Sequence, residues 1–121
     1  MKLAFVYVPV KDIQRALAFY RDTLVLEELW REGDGTVALR APGEEAALML
    51  DRVDTDAAPG PLFVVDSVAE FYERHRSELD FMAEPVEIPG GYWIELRDPD
   101  GTLVRLLDQS TEAQDVPASS E

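Results

Sequence analysis

The chain carries an internal repeat. Setting Ile13 against Val68 places Tyr20 on His75 and Leu24 on Leu79, a shared offset of 55 residues. Self-similarity on this scale marks one supersecondary unit used more than once. In the first copy, KLAFVYVPV (2–10) reads as a strand with Phe5 and Tyr7 on one face and Ala4, Val6 and Val8 on the other. Asp12 can cap a helix in which Ile13, Ala16, Leu17, Tyr20 and Leu24 follow helical spacing. Extended runs follow at LEELWRE (26–32), TVALRAP (36–42) and EAALMLDRV (45–53), separated by glycine-containing turns.

The second copy opens with PLFVVD (61–66), and Ser67 with Glu70 forms a capping box for a helix striped by Val68, Phe71, Tyr72, His75 and Leu79. FMAEPVEIP (81–89), YWIELRD (92–98) and TLVRLLD (102–108) supply its strands, and Asp98-Pro99-Asp100-Gly101 makes a tight turn between the last two. The simplest account is an α+β fold of two βαβββ modules, about 2–53 and 61–108, with a linker over 54–60, in one domain spanning 1–109. Residues 110–121 are acidic and poor in apolar side chains, and a disordered tail is expected there.

With 121 residues, 46% of them hydrophobic, the chain can bury one sizeable core. No apolar run approaches the length of about 18 residues that a membrane span needs. The N-terminus alternates like a strand and lacks a signal-peptide pattern, so a cytoplasmic location is the default expectation. Cysteine is absent, which removes disulfides and thiolate metal sites. A net charge of −14, from 11 basic and 25 acidic residues, repels phosphate backbones and argues against nucleic acid as a partner. The same charge suits either a well-solvated surface or a cleft that draws cationic ligands. There is no phosphate-cradling glycine loop, no GxSxG elbow and no pair of histidines for a triad. His75, the lone histidine, lies on the apolar stripe of the second helix and reads as a packing residue.

A doubled βαβββ unit with DIQRALAFYRDTL (12–24) as its first helix and RDPDGTLVRLLD (97–108) as its closing hairpin resembles the vicinal oxygen chelate superfamily. That group includes the glyoxalases, bleomycin-resistance proteins and extradiol dioxygenases. The resemblance covers residues 2–108, and Phe19-Tyr20 with Asp98-Pro99-Asp100-Gly101 are its most specific parts. It implies a curved, cup-like mixed sheet with the helices outside. It also implies, for the family's enzymes, a divalent metal held by His, Glu or Gln on inward-facing strands. Carried onto this chain, the four ligand positions fall on Phe5, near Met49, near Gly60 and on Arg105. None is an ordinary divalent ligand, and a permanently charged guanidinium would repel a cation. The expectation is a metal-free member without a cofactor, in the style of the bleomycin-resistance proteins. The family's helix-to-strand join carries glycine after a leucine. Here the pair is Leu24-Val25, and a β-branched residue disfavours positive φ, so a remodelled turn is expected.

Alternation from Phe5 and Arg105 puts Tyr7, Leu103 and Leu107 on their inward face, and Met49 brings Asp51 with it. The resemblance adds Trp93 and Glu95. The expected ligand-binding set is therefore an aromatic cup of Phe5, Tyr7, Met49, Trp93, Leu103 and Leu107, charged by Asp51, Glu95 and Arg105, with Trp30 as a further wall. A buried arginine needs a partner, either Glu95 or an anionic ligand group that its fork can grip with two hydrogen bonds.

Three functions fit. The first is a small-molecule binding protein that sequesters a drug-like or metabolite ligand without turning it over. The second is a metal-independent enzyme of lyase or isomerase type, with Asp51 or Glu95 as general base and Arg105 steadying an oxyanion. The third is a relative kept for protein–protein contact. The resemblance also implies a homodimer.

Overall fold

The structure is a computed structural model and describes residues 1–111. Ala4–Pro61 pack as one compact unit, and the residues from Leu62 on, with Met1–Leu3, pack as another. In the first, β1 (Lys2–Val10) leads to α1 (Ile13–Leu17), then to β2 (Glu27–Glu32), β3 (Thr36–Arg40) and β4 (Ala47–Arg52). The strands lie in the order β2-β3-β4-β1, antiparallel except that β1 runs parallel to β4. Alternation decides which face is covered. Val8, Val10, Val37, Leu39 and Leu50 pack on the side where Ile13 and Leu17 of α1 close the core.

The second unit repeats the plan. β5 (Gly60–Val64), α2 (Val68–His75), β6 (Asp80–Phe81), β7 (Val86–Ile88), β8 (Gly91–Arg97) and β9 (Leu103–Leu107) follow in sequence. The order is β6-β8-β9-β5, with β7 also paired to β8 and β5 parallel to β9. Val68, Phe71 and Tyr72 cover Phe63, Ile94, Leu96, Val104 and Leu106. The α+β class and the doubled unit are both present. The run 81–89 is not one strand, however. It breaks into β6 and β7 around the residues Met82–Pro85, and Pro85 cannot donate a ladder hydrogen bond.

The expected caps are in place. The Asp12 carboxylate accepts from the Arg15 N–H at 3.1 Å, and the Ser67 hydroxyl accepts from the Glu70 N–H at 3.1 Å. The second helix stops at His75, earlier than its apolar stripe suggests. Leu24 and Leu79, which the repeat aligns, are 50% and 39% exposed. At the end of α2, His75 Nδ1 lies 2.6 Å from a Glu78 carboxylate oxygen, and the ring tilts against Phe71 with centroids 4.5 Å apart. In the β8–β9 turn, the Asp98 carbonyl accepts from the Gly101 N–H, and its carboxylate accepts from the N–H groups of Asp100 and Thr102 at 2.8 and 2.9 Å. Gly101 has φ +89°, which a side chain would disfavour.

The α1 join departs from expectation. The helix continues as a π-helical turn, Ala18–Thr23, and the Leu24 N–H bonds the Phe19 carbonyl at 2.9 Å. The Leu26 N–H then bonds the Tyr20 carbonyl at 3.1 Å. This ending needs a left-handed residue, and Val25 takes it with φ +62°. The turn is kept rather than remodelled, and the β-branched side chain bears the strain. Val25 is 67% exposed, so its side chain contributes little packing. Val25→Gly should therefore stabilise the protein by about 1 kcal/mol, because strain relief exceeds the entropy glycine adds to the unfolded chain. A denaturant midpoint that rises at unchanged slope checks this, and a lower midpoint would contradict it.

Ser110 is tied to Asp108 by its N–H and hydroxyl, at 3.1 and 2.9 Å, and the Thr111 N–H bonds the Gly90 carbonyl at 3.1 Å. These two residues thus belong to the fold, not to a tail. The remainder of the expected tail lies outside the described residues. No helix among the described residues is long and apolar enough to cross a membrane.

Candidate functional site

The candidate residues divide between the two units, and in each they occupy the sheet face opposite the helix. In the first unit, register places Trp30, Ala38, Met49 and Tyr7 in one row across β2, β3, β4 and β1. A β-bulge sets Trp30 in that row. Glu28 pairs with Leu39, and Trp30 pairs with Ala38, so Leu29 is one residue too many. Regular pairing would have turned Trp30 to the helix side, opposite Val37. The Trp30 ring meets Phe5 edge-on, with centroids 5.9 Å apart and planes at 88°, although β3 and β4 lie between their strands. Ala38, small and fully buried, stands between Trp30 and Met49 in the row. Tyr7 and Met49 are buried too, while Trp30 keeps 41% of its surface exposed. This face is thus largely filled by its own side chains.

Asp51 extends the set along β4. The Tyr7 hydroxyl donates to its Oδ2, and the Thr36 hydroxyl donates to Oδ1 at 2.7 Å. Thr36 stands directly opposite Asp51 across β3–β4. A carboxylate gripped on both oxygens is held in one orientation. The sequence candidates omitted Thr36, because the glycine turn before it joins β3 to β2 and carries no signal of its register with β4.

In the second unit, Trp93 stands opposite Leu107, Glu95 opposite Arg105, and Leu103 opposite Arg97. Arg105 Nε donates to Glu95 Oε2 at 3.2 Å. Of the two ways to satisfy Arg105, the internal pair with Glu95 is present. The pair is lopsided: the arginine side chain is 1% exposed and the glutamate side chain 34%. Leu62 of β5, opposite Arg105 in register, is fully buried. A shallow cavity of about 220 Å³ opens beside β8, walled by Trp93, Ile94 and Glu95 and by Met82, Ala83, Glu84 and Val86. Trp93 and Glu95 were expected from the sequence. The Met82–Val86 wall was not, because it exists only where the extended run breaks.

Sequence reasoning also missed the joint at the ends of β8 and β9. Asp108 is 2% exposed, and its Oδ2 accepts from the Val68 N–H at 2.7 Å, at the first turn of α2. Its Oδ1 accepts from the Tyr92 N–H at 2.9 Å and from Ser110, while the Asp108 N–H bonds the Tyr92 carbonyl. Burial by itself would raise this carboxyl, but the N–H groups of Val68, Ser110 and Tyr92 and the Ser110 hydroxyl hold it below the usual carboxylate range. Gly91 leaves the space for this arrangement. A Cβ there would stand 2.1 Å from the Asp108 carbonyl oxygen and 2.4 Å from its Oδ1. The doublet Gly90-Gly91 at a strand start was the signal, since glycine in a strand often marks close backbone approach.

The donor set does not fit the family's divalent ion. Phe5, Gly60 and Arg105 offer it no side-chain lone pair, and Met49 offers only a soft thioether. Among the described residues, no three His, Cys, Asp or Glu side chains converge in a way that could hold a metal.

Comparison with known proteins agrees with the architecture. The structure superposes on methylmalonyl-CoA epimerase from Mycobacterium tuberculosis with a TM-score of 0.68 at 19% identity, covering 95% of this chain and 92% of that one. An NAD-dependent benzaldehyde dehydrogenase from Legionella pneumophila gives 0.70 at 19% identity, covering 87% and 97%. A glyoxalase/bleomycin resistance protein/dioxygenase superfamily member from Vibrio splendidus 12B01 gives 0.60 at 19% identity, covering 86% and 96%. At such identities the likeness is one of fold, and the named activities differ among themselves. No curated protein matches the sequence. A family model matches residues 2–106, nearly all of both modules, and by that match the chain belongs to the glyoxalase/bleomycin resistance protein/dioxygenase superfamily.

Proposed function

We propose that this protein is a metal-independent small-molecule binding protein that sequesters a drug-like or metabolite ligand at the cavity beside β8. The supporting observation is the make-up of that cavity. Trp93, Met82, Ala83 and Val86 give it an apolar wall, and two carboxylates, Glu84 and Glu95, give it polar points, the usual composition of a ligand site. At about 220 Å³ it is smaller than a typical drug-sized pocket, so it takes one end of a ligand rather than the whole. Binding is favoured over turnover because the groups a catalyst would use are engaged. Asp51 holds two hydroxyls, and Arg105 holds Glu95.

Amide and indole N–H shifts, followed while aromatic, cationic and carboxylate compounds are titrated, test this reading. Saturable shifts confined to Trp93, Ile94, Glu95 and the 82–86 segment are expected, unchanged by a chelator. Compounds that leave those signals unmoved throughout would refute it. Product formation that Glu95→Gln abolishes would replace it with the enzyme reading. Melting temperatures should likewise be indifferent to manganese, nickel and chelator, since a bound ion that prefers the native state would raise them. A stoichiometric divalent ion in the purified protein would overturn the metal-independent part.

A further inference from the structure

We infer that the end of the ligand held at the β8 cavity is a primary or secondary ammonium group on an apolar body. The inference rests on the binding reading above and adds the charge of the ligand to it. The first ground is the sign of the walls. Glu84 and Glu95 are the charged residues lining the cavity, and among the described residues no lysine or arginine lines it.

The second ground is the orientation of the ion pair behind it. Arg105 is sealed, with a side chain 1% exposed, whereas Glu95 is 34% exposed and forms part of the cavity wall. The pair therefore presents its negative end to an entering group and withholds its positive end. An anionic ligand would have to displace Glu95 and desolvate against Glu84 to reach the guanidinium.

The third ground is that Trp93, an aromatic residue, lines the cavity, since aromatic rings attract cations. A volume of about 220 Å³ is about seven water molecules' share of the liquid, which suits a head group with a few carbons. A primary ammonium matches two carboxylates better than a quaternary one, because it has N–H groups to donate to them. Arg76 is the competing cation within electrostatic reach of Glu84. It bonds Glu73 at 3.3 Å and sits over the Tyr72 ring, 5.2 Å from the centroid. At a net charge of −14 the whole chain also raises the local concentration of cations.

Benzylamine, benzyl alcohol and benzoate test this, being of similar size and differing in charge. Titrated into the full chain at neutral pH and low salt, with the Trp93 indole N–H as reporter, benzylammonium should bind about tenfold more tightly than benzyl alcohol, and benzoate most weakly. The margin should shrink as salt is raised. Glu84→Gln, an exposed change that should leave the fold intact, should weaken benzylammonium by about threefold and leave benzyl alcohol unaffected.

Equal binding of the amine and the alcohol, or preference for benzoate, overturns the ammonium inference while leaving the binding reading standing. The ammonium inference falls in the same way if other compounds move the Trp93 signal and benzylamine does not. A Trp93 signal unmoved by any compound overturns both.

Discussion

Gly91→Ala should be among the most damaging single-methyl additions in this chain, lowering stability by at least about 3 kcal/mol. The new Cβ would sit 2.1 Å from the Asp108 carbonyl oxygen and 2.7 Å from its carbonyl carbon, and these are backbone atoms that cannot rotate away. Relief requires β8 and β9 to separate at the point where Tyr92 and Asp108 exchange hydrogen bonds. A fall in melting temperature of about 10 °C or more is the expected reading, since about 1 kcal/mol corresponds to several degrees in a domain of this size. Gly33→Ala is the control for glycine replacement as such. That glycine has positive φ, which Gly91 does not, so a side chain there is strained by its backbone alone, but nothing stands within 4 Å of its added Cβ. A Gly91→Ala loss no larger than that of Gly33→Ala would show that the joint yields more than its geometry implies.

Asp108→Ala should cost about 3–5 kcal/mol. The Val68 N–H at the start of α2 and the Tyr92 N–H on β8 would both lose their acceptor, and Val68 is wholly buried. Asp108→Asn should cost less but still destabilise, because an amide NH₂ must replace one of two accepting oxygens. The ionised carboxylate also makes stability depend on pH in a defined direction. The Asp108 carboxyl is held below its unfolded value, so in the window between the two the unfolded chain binds the extra proton. Its contribution is complete above the ordinary carboxylate range and is lost as pH falls through the depressed folded value. Stability of the Asp108→Asn variant measured against pH should therefore fall less steeply in acid than that of the parent. Parallel curves would assign the acid sensitivity to other carboxylates. Gly91 and Asp108 form one joint, so their substitutions should combine less than additively.

The candidate site shows how far local patterning reaches. Phe5, Met49, Trp93, Glu95 and Arg105 were placed by the resemblance, and alternation from them along β1, β4 and β9 put Tyr7, Asp51, Leu103 and Leu107 on the same faces, as the register has them. Side-chain direction in a strand has a period of two, and one anchored residue orients the rest. Trp30 is the instructive case. Its place on the helix-free face depends on the bulge at Leu29, which strand periodicity alone would have missed. The Glu95–Arg105 pair was legible as one of two options, because the hairpin turn set the register between their strands. The cavity wall from Met82 to Val86 was not legible, since it depends on where two short strands leave β8.

The primary structure alone determined the doubled α+β unit, its caps and its closing hairpin. Each of these follows from local rules: apolar period, a capping oxygen three residues from its N–H, and a turn glycine at positive φ. Tertiary structure alone decided the rest. Only packing could give Asp108 to the start of α2, forty residues earlier in the chain, or make Gly91 the residue that admits it. Only the meeting of β9 with β8 could bury Arg105 while leaving Glu95 open to the cavity. The reason is common to both. Burial and hydrogen-bond partners are properties of which segments meet, and residues distant in sequence carry no local signal of that meeting.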